Sequence, residues 1–279
     1  MPRTPGIDVS RWQGEINWSR VAQTGYRFAG IRATIGNYYT DPRFYVNWSE
    51  AREAGLLVSA YHVMVPDRPA ESQIERFFDV LADRRPDFPP VLDVEVRRGS
   101  GPDDITACFE ACAKLVQQAD GRLPVVYTAR WFWDRHLLDS PEWTDFDLWV
   151  AHYGVENPTL PRGWAEWKFW QYSDHGRVPG IGAATDLNWF NGSYDDLLAY
   201  TQADGREPEP PVAGLQARVR AERLGVRSGP GLNYEAVEEL REGDVVAVVS
   251  VAGDDVWVEI EPGKWAPFRS HGQQYMEIG

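Results

Sequence analysis

Short apolar segments of strand type alternate with segments of helical spacing over the first 200 residues, and this alternation restricts the possible folds strongly. Several strand candidates are apolar almost throughout, with polar residues only near their carboxyl ends, as in strands buried on both faces. Strands of this kind, joined by helical crossovers, form parallel sheets or closed (β/α) barrels. The sequence therefore predicts an α/β fold.

Eight strands are predicted, at Gly6–Ser10, Phe28–Thr34, Leu57–Met64, Pro90–Val96, Pro124–Thr128, Leu148–Tyr153, Trp167–Ser173 and Thr185–Leu187. Three helices are predicted, at Pro42–Ala54, Ala70–Asp83 and Asp103–Ala119, the last of them capped by Asp103 or Asp104. The stretches after the sixth and seventh strands are short and rich in Pro and Gly. We therefore expect an irregular (β/α) TIM-like barrel over residues 1–201, with some late helices missing.

A change of composition separates this region from the C-terminal part of the chain. Residues 202–214 contain three prolines and several charges, as in a semi-extended linker. Residues 215–279 carry short runs of β type separated by turns such as Gly-Pro-Gly and Gly-Asp-Asp. This pattern predicts a small all-β barrel or sandwich.

The net charge of −14 limits the possible partners. Nucleic acid requires a basic surface, so we predict no nucleic acid partner. No run of 18 apolar residues is present, so we predict no membrane span. The first residues, MPRTPGIDVS, lack the apolar stretch of a signal peptide. The 13 Trp and 12 Tyr residues offer flat faces of the kind that bind sugar rings.

Cysteine and histidine provide no evidence of a metal or cofactor. Cys108 and Cys112 lie four residues apart in a predicted helix, which is poor geometry for a disulfide. They have no matching histidine pair, and no H-E-x-x-H motif is present. No G-x-S-x-G motif suggests a serine nucleophile. We predict two buried, reduced thiols and neither a metal nor a cofactor.

The segment PVLDVEV, residues 90–96, is the strongest indication of chemistry. Asp93 and Glu95 are two apart on a strand, so their side chains leave the same face with Cα atoms about 6–7 Å apart. Burying two carboxylates is costly unless they are used, and their repulsion raises the pKa of one of them. A protonated donor beside an ionised partner is the equipment of glycoside hydrolysis. The alternative is a structural pair neutralised by Arg97, Arg98 or another base.

Two further acids occupy comparable positions. Asp8 ends the first predicted strand and Asp186 lies near the last, and these strands are neighbours in a closed barrel. The carboxyl ends of barrel strands face one opening, so the four acids are expected to line one cleft. Aromatic residues occur at the same strand ends, at Trp12, Tyr61, Tyr127, Trp149, Trp170 and Tyr172. An acidic cleft with aromatic walls favours carbohydrate.

Seven motifs occur in order along the chain: GIDVSRWQG at 6–14, YH at 61–62, VLDVE at 91–95, VVYT at 125–128, WVAHYG at 149–154, FWQYS at 169–173 and TDLNWFNG at 185–192. Together they resemble glycoside hydrolase family 25, the Chalaropsis-type lysozymes, over residues 5–200. The resemblance implies cleavage of the β-1,4 bond between N-acetylmuramic acid and N-acetylglucosamine in bacterial peptidoglycan.

The resemblance also implies roles for individual residues. Glu95 matches the general acid, and Asp93 matches its partner, which either attacks the sugar or stabilises an intermediate formed by the substrate's N-acetyl group. Asp8 and Asp186 match the remaining acids of the cleft. The expected substrate contacts are Tyr61, Tyr127, Trp149, Trp170, Tyr172 and His62. For His62, a hydrogen bond within the barrel is the alternative. Ile35 replaces a Glu that is common in the family.

The C-terminal segment VRSGPGLNYEAVEEL, followed by REGDVVAVVS, VWVEI and GKWAPF, resembles a bacterial SH3-like domain over residues 215–279. The resemblance implies binding to the stem peptide or cross-bridge of the cell wall. Tyr234, Trp257 and Trp265 are the candidate wall-binding residues. A stabilising cap without a ligand is the alternative.

The sequence therefore predicts a monomeric muramidase that acts on the cell wall. The alternatives are a glycosidase for chitin-like glycans and a wall-binding protein without catalysis. Two settings remain open: a phage endolysin released from the host cytoplasm, and the secreted mature form of a bacterial autolysin.

Overall fold

A computed structural model describes residues 2–202, 216–228, 232, 234–247, 250–252, 257–261, 264–267, 269–270 and 273–278. The chain divides into two compact units, and each is described by itself. Of the predicted linker, residues 202–214, only Gln202 falls within the described residues.

The first unit is built on one sheet of nine strands: β1 (Thr4–Val9), β2 (Phe28–Ile35), β3 (Tyr39–Thr40), β4 (Leu57–Val63), β5 (Val91–Asp93), β6 (Val125–Ala129), β7 (Leu148–Ala151), β8 (Phe169–Gly176) and β9 (Thr185–Phe190). The strand order is β1-β9-β8-β7-β6-β5-β4-β2, and β1 also pairs with β2. Eight strands therefore form a closed barrel, and β3 adds a short antiparallel extension to β2.

Six α-helices accompany the strands: α1 (Trp18–Gln23), α2 (Phe44–Glu53), α3 (Ala70–Leu81), α4 (Pro102–Asp120), α5 (Arg130–His136) and α6 (Tyr194–Gln202). Residues 152–168, after β7, and residues 177–184, after β8, contain no helix. The prediction of an irregular α/β barrel that lacks late helices is confirmed. None of the described helices is long and apolar enough to cross a membrane.

The last barrel strand runs in the opposite direction to its neighbours. β9 is antiparallel to both β1 and β8, whereas β1, β2 and β4 to β8 pair in parallel. The connection from β8, residues 177–184, is shorter than the crossover of about a dozen residues that a parallel pair needs. Asp186 therefore lies near the amino end of its strand, not the carboxyl end as predicted. It still reaches the same opening, because it pairs in register with Asp8.

The N-terminal cap and the two cysteines of α4 test the sequence prediction for this helix. The residue that caps its N-terminus is Gly101, and Pro102 opens the helix, where the fixed φ of proline is favourable. Asp104 accepts a hydrogen bond of 3.3 Å from the Gly101 N–H, so it supports the cap from inside the helix. The prediction that Asp103 or Asp104 is the cap is wrong. Cys108 and Cys112 are buried free thiols, as predicted.

Aromatic rings fill the interior of the barrel below its opening. Phe169 is central, with ring centroids 5.2 Å from Phe28, 5.1 Å from Phe88 and 4.8 Å from Trp149. All four side chains are at most 2% exposed. Gly6 faces this layer, and a Cβ added there would overlap the ring of Phe28. The barrel is therefore a packed core, closed beneath the cleft.

The second unit is all-β in its described residues. Its strands are β10 (Gln216–Val219), β11 (Arg223–Arg227), β12 (Ala236–Arg241), β13 (Val245–Ala247), β14 (Ser250–Ala252), β15 (Trp257–Glu261), β16 (Lys264–Pro267), β17 (Arg269–Ser270), β18 (Gln273–Gln274) and β19 (Met276–Ile278). They form sheets in the orders β13-β10-β19, β12-β11-β16-β15-β14 and β17-β18. The small core contains Ala217, Val219, Leu224, Val226, Leu240, Val258, Ile260, Ala266 and Met276.

We predict that Gly6→Ala lowers the free energy of unfolding by about 1–3 kcal/mol, because the added methyl group overpacks the Phe28 ring. Urea unfolding followed by tryptophan fluorescence measures the change. Gly182→Ala is the matched control, since a Cβ there has no atom within 4 Å. Equal midpoints for the two variants would contradict the tight contact at Gly6.

Candidate active site

A cleft of about 410 Å³ lies at the barrel opening where the parallel strands end. Its carboxyl groups are those of Asp8, Asp93, Glu95 and Asp186. Its aromatic walls are formed by Trp12, Tyr38, Tyr61, Tyr127 and Trp149. The structure thus brings together the four acids predicted from sequence, although they are spread over almost the whole barrel sequence.

The side chain of Gln171 in β8 fixes one side of Asp8. Its Nε2 donates a hydrogen bond of 2.8 Å to Asp8 Oδ2. Its Oε1 accepts hydrogen bonds from the hydroxyls of Tyr127, at 2.8 Å, and Tyr153, at 2.6 Å. Because both hydroxyls donate to the oxygen, the nitrogen of the amide must point to Asp8.

Asn188 in β9 fixes the same carboxylate oxygen from a second direction. Its Nδ2 donates a hydrogen bond of 2.8 Å to Asp8 Oδ2, and its Oδ1 accepts one of 2.8 Å from the indole of Trp149. The Trp149 donor orients this amide as the tyrosines orient Gln171. Sequence reasoning missed both amides. The available signal was position, since Asn188 lies two residues beyond Asp186 and so on the same face of β9.

Asp8 and Asp186 form a carboxyl pair that shares a proton. Burial raises the pKa of Asp8, but hydrogen bonds from Gln171 and Asn188 oppose that shift. Burial and the charge of Asp8 raise the pKa of Asp186 to about 9. Asp186 therefore keeps its proton near neutrality and donates a hydrogen bond to the Asp8 carboxylate.

Asp93 lies at the end of β5, deep in the cleft and only 6% exposed. Burial, followed by the charges of Glu95 and Asp8, raises its pKa well above the usual range, and Arg32 opposes the shift. Its Oδ1 has no hydrogen-bond partner in the described part of the chain. Arg32 forms its ion pair with Asp41, at 2.8 Å. A buried polar atom is usually satisfied, so this oxygen marks a place for a ligand.

Glu95 lies two residues further, at the solvent-exposed mouth of the cleft. The strand ends at Asp93, so the predicted strand Pro90–Val96 is too long. One more β-type hydrogen bond follows, of 2.9 Å from Val94 N–H to Tyr127 O, and this keeps Asp93 and Glu95 on the same side. Partial burial and then the charge of Asp8 raise the pKa of Glu95.

Neither nearby arginine neutralises the acid pair. Arg97 Nε donates to Ser100 O at 3.2 Å, and the guanidinium of Arg98 donates to the Tyr38 hydroxyl at 3.0 Å. Within the described residues, no salt bridge joins an arginine to Asp93 or Glu95. The alternative of a structural ion pair is therefore not supported.

Three predicted substrate contacts do not line the cleft. Trp170 and Tyr172 lie on the outer face of β8, because alternation in a strand directs Phe169 and Gln171 inward. Trp170 donates to His152 O at 2.8 Å, and Tyr172 stacks on Trp189 with ring centroids 5.1 Å apart. Their placement in the cleft by sequence is corrected.

His62 also points away from the cleft, because it follows the inward-facing Tyr61 directly in β4. Its ring is fully buried, 5.5 Å from the ring of Phe77 in α3, with Nδ1 2.7 Å from the Thr34 hydroxyl. Burial lowers its pKa to about 4, so the ring is neutral at physiological pH. The structure favours the alternative, in which His62 has a hydrogen-bonding role within the barrel. Ile35 lies in the cleft wall.

We predict that Asp186→Asn stabilises the protein relative to wild type as pH rises. Wild-type Asp186 keeps its proton in the folded state until about pH 9, whereas the unfolded chain releases it near pH 4. Folded protein therefore binds more protons between these values, and its stability falls with pH. The Asn amide keeps a donor for Asp8 without this penalty.

Urea unfolding between pH 4.5 and 8.5 measures the effect, with the exposed Asp145→Asn as control. An Asp186→Asn difference that stays constant across this range would contradict the raised pKa.

Known proteins similar to this chain include enzymes named lysozyme, in agreement with an acidic, aromatic cleft. Residues 7–181 match the family model for glycosyl hydrolases family 25. The chain is 40% identical over 210 residues to the uncharacterized protein YegX of Escherichia coli O157:H7, covering 74% of this chain and 75% of that protein. It is 37% identical over 212 residues to lysozyme M1 of Streptomyces globisporus, covering 70% of each. The crystal structure of the bacterial lysozyme from Streptomyces coelicolor has a TM-score of 0.68 and 35% identity, covering 72% of this chain and 97% of that one. The chain therefore belongs to glycosyl hydrolase family 25.

Proposed function

We propose that this cleft hydrolyses the β-1,4 bond between N-acetylmuramic acid and N-acetylglucosamine in peptidoglycan, with Glu95 as general acid and Asp93 as its partner. The observation that carries the proposal is the shared cleft: both carboxyls line it, and the buried Asp93 Oδ1 has no hydrogen-bond partner among the residues that the structure describes. Relatives named lysozyme M1, autolytic lysozyme and N,O-diacetylmuramidase support peptidoglycan as the substrate.

Glu95 has the position and protonation of a general acid. It lies at the mouth of the cleft, where it is exposed to solvent, and its raised pKa favours the protonated form. A proton delivered to the glycosidic oxygen lets the bond break without forming an alkoxide. The charge of Asp8 contributes to that raised pKa.

The pKa values of Asp93 and Glu95 differ from the sequence prediction, in which one carboxyl has a raised pKa and the other is ionised. The pKa values of both Asp93 and Glu95 are raised, that of Asp93 more strongly. The transition state of glycoside hydrolysis carries positive charge at the sugar ring. That charge favours an ionised Asp93 beside a protonated Glu95, so the bound substrate completes the arrangement. Nucleophilic attack and stabilisation of an N-acetyl-assisted intermediate both use Asp93 in this form.

We predict that Glu95→Gln lowers kcat on purified walls by about 10²–10⁴-fold, because it removes the transferable proton. A turbidity assay, with release of reducing ends, measures the loss. Glu110→Gln, on the exposed face of α4, is the control for a changed charge.

Wall clearing by Glu95→Gln at the wild-type rate would sink the assignment. Mass spectrometry of the fragments tests the bond, since a muramidase leaves muramic acid at the reducing end. A glycosidase for chitin-like glycans leaves N-acetylglucosamine there.

We predict that Asp8→Asn moves the alkaline limb of the pH–rate profile to lower pH. The charge of Asp8 raises the pKa of Glu95, so its removal lowers that pKa and Glu95 loses its proton earlier. The profile of kcat/KM against pH measures the shift. An alkaline limb at the wild-type position would contradict control of Glu95 by Asp8.

The all-β unit is proposed as a bacterial SH3-like domain over residues 215–279 that binds the stem peptide or cross-bridge. Tyr234 is 42% exposed, Trp265 is half-buried on β16, and Trp257 belongs to β15, opposite Ala252. The exposed ring of Tyr234 provides contact area for a wall ligand. The proposed boundaries are residues 1–201 for the barrel and 202–214 for the linker.

We predict that Tyr234→Ala in the full chain reduces the fraction that sediments with insoluble walls, because it removes an exposed contact. Release of reducing ends from soluble glycan fragments measures catalysis separately. Leu232→Ala, an exposed apolar residue nearby, is the control. Equal sedimentation of wild type and Tyr234→Ala would remove Tyr234 from the wall-binding surface.

The protein is proposed to act on the cell wall as a monomer. A phage endolysin released from the host cytoplasm and a secreted autolysin both fit a wall-cleaving barrel joined to a wall-binding unit.

A further inference from the structure

We propose that Tyr38, Arg68 and Arg98 form a subsite, beside the catalytic cleft, for a carboxylate of the stem peptide that muramic acid carries. This inference rests on the proposed muramidase function and names a part of the substrate that the four acids of the cleft do not address.

A second cavity, of about 190 Å³, adjoins the catalytic cleft. Tyr38, Val65, Asp67, Arg68 and Arg98 line it. Tyr38 and Arg98 line the catalytic cleft as well, so the two spaces are continuous. A substituent of a sugar bound in the cleft can therefore enter the second cavity without leaving the protein surface.

The ring of Tyr38 is held in place between these groups. The guanidinium of Arg68 lies 5.8 Å from its centroid, and Arg98 donates to its hydroxyl at 3.0 Å. Gly36, at φ +51°, makes room for the ring, since a Cβ there would lie 2.7 Å from Tyr38 Cε1. Tyr38 is nonetheless 48% exposed, so its position is defined while one face stays open to a ligand.

The backbone of Arg98 adopts an unfavourable conformation. Its φ of +51° lies in the left-handed region, which is unfavourable for a residue with a side chain. Such strain persists only where the surrounding structure imposes it, and it concentrates at functional sites. Within the described residues no carboxylate forms a salt bridge with Arg98. Its charge is therefore available to a ligand.

The charges of the cavity fit one carboxylate with a neighbouring amide. Arg68 lies 3.9 Å from Asp67, which leaves two cations and one anion around the space. The guanidinium groups bind a carboxylate oxygen pair, and Asp67 accepts from a peptide N–H. The stem peptide offers both groups, attached to muramic acid through its lactyl ether.

The negative charge of the cleft favours such a subsite. The Asp8 carboxylate creates a negative potential in the cleft, an ionised Asp93 adds to it during the reaction, and the chain carries a net charge of −14. A carboxylate on the substrate is repelled from these groups. Two arginines at the edge of the cleft offset that repulsion and hold the anion away from the reacting bond.

The test compares two substrates: sacculi from a Gram-negative bacterium, which lack teichoic phosphates, and the same glycan after an amidase has removed the stem peptides, which leaves only the lactyl carboxylate next to the sugar ring. Release of reducing ends gives kcat/KM on each. Wild type is expected to favour the peptide-bearing glycan. Arg98→Gln is expected to lower the ratio of the two values about tenfold, and Arg68→Gln several-fold. The exposed neighbour Arg97→Gln is the matched control and keeps the wild-type ratio.

Tyr38→Phe provides a second variant, which keeps the ring and removes the hydroxyl that accepts from Arg98; it is expected to lower the ratio by a smaller factor. An unchanged ratio in Arg98→Gln and Tyr38→Phe overturns the inference, as does an equal loss on both substrates. Wild type that cleaves both glycans with the same kcat/KM overturns this inference alone. Wild type that cleaves neither overturns the proposed hydrolysis together with it.

Discussion

Two amide N–H groups, from Gln171 and Asn188, each hold the same carboxylate oxygen of Asp8 at 2.8 Å. The proton states of the cleft depend on this fixed charge, because it raises the pKa of Asp93, Glu95 and Asp186. A freely rotating Asp8 would leave its charge open to solvent screening. The amides keep one negative charge at a defined place in the barrel, and the three other carboxyls respond to it.

The hairpin of β8 and β9 makes this arrangement possible. Because β9 returns antiparallel, Asp186 lies opposite Asp8 and Asn188 lies opposite Gln171 in the sheet register. A parallel last strand would bring its carboxyl end, and not its amino end, to the opening. The short connection between β8 and β9 therefore has a consequence for the site, because it places the proton donor Asp186 and the amide of Asn188 beside β1.

The sequence was sufficient for the order of the barrel strands, for the missing late helices and for the acids that share the cleft. It did not give the side of each strand on which an aromatic residue lies. Both faces of these strands are buried, so the sequence shows no alternation of apolar and polar residues that would tell inward from outward positions. Trp170, Tyr172 and His62 each lie next to an inward-facing residue and therefore point to the outer face. Gln171 and Asn188 carry no charge to attract notice. Their roles depend on Asp8, which is 163 and 180 residues away in the chain.

Trp149 belongs to two layers of the barrel at once. Its ring stacks on Phe169 at 4.8 Å, within the aromatic core, and its indole N–H holds Asn188 at 2.8 Å. Any repacking of that core which tilts the indole also alters the amide that anchors Asp8. Adaptation to heat, which acts through core packing, and adaptation to acidity, which acts through proton affinity, therefore meet at one side chain. A substitution of Trp149 therefore changes thermal stability and the pH response of the cleft together.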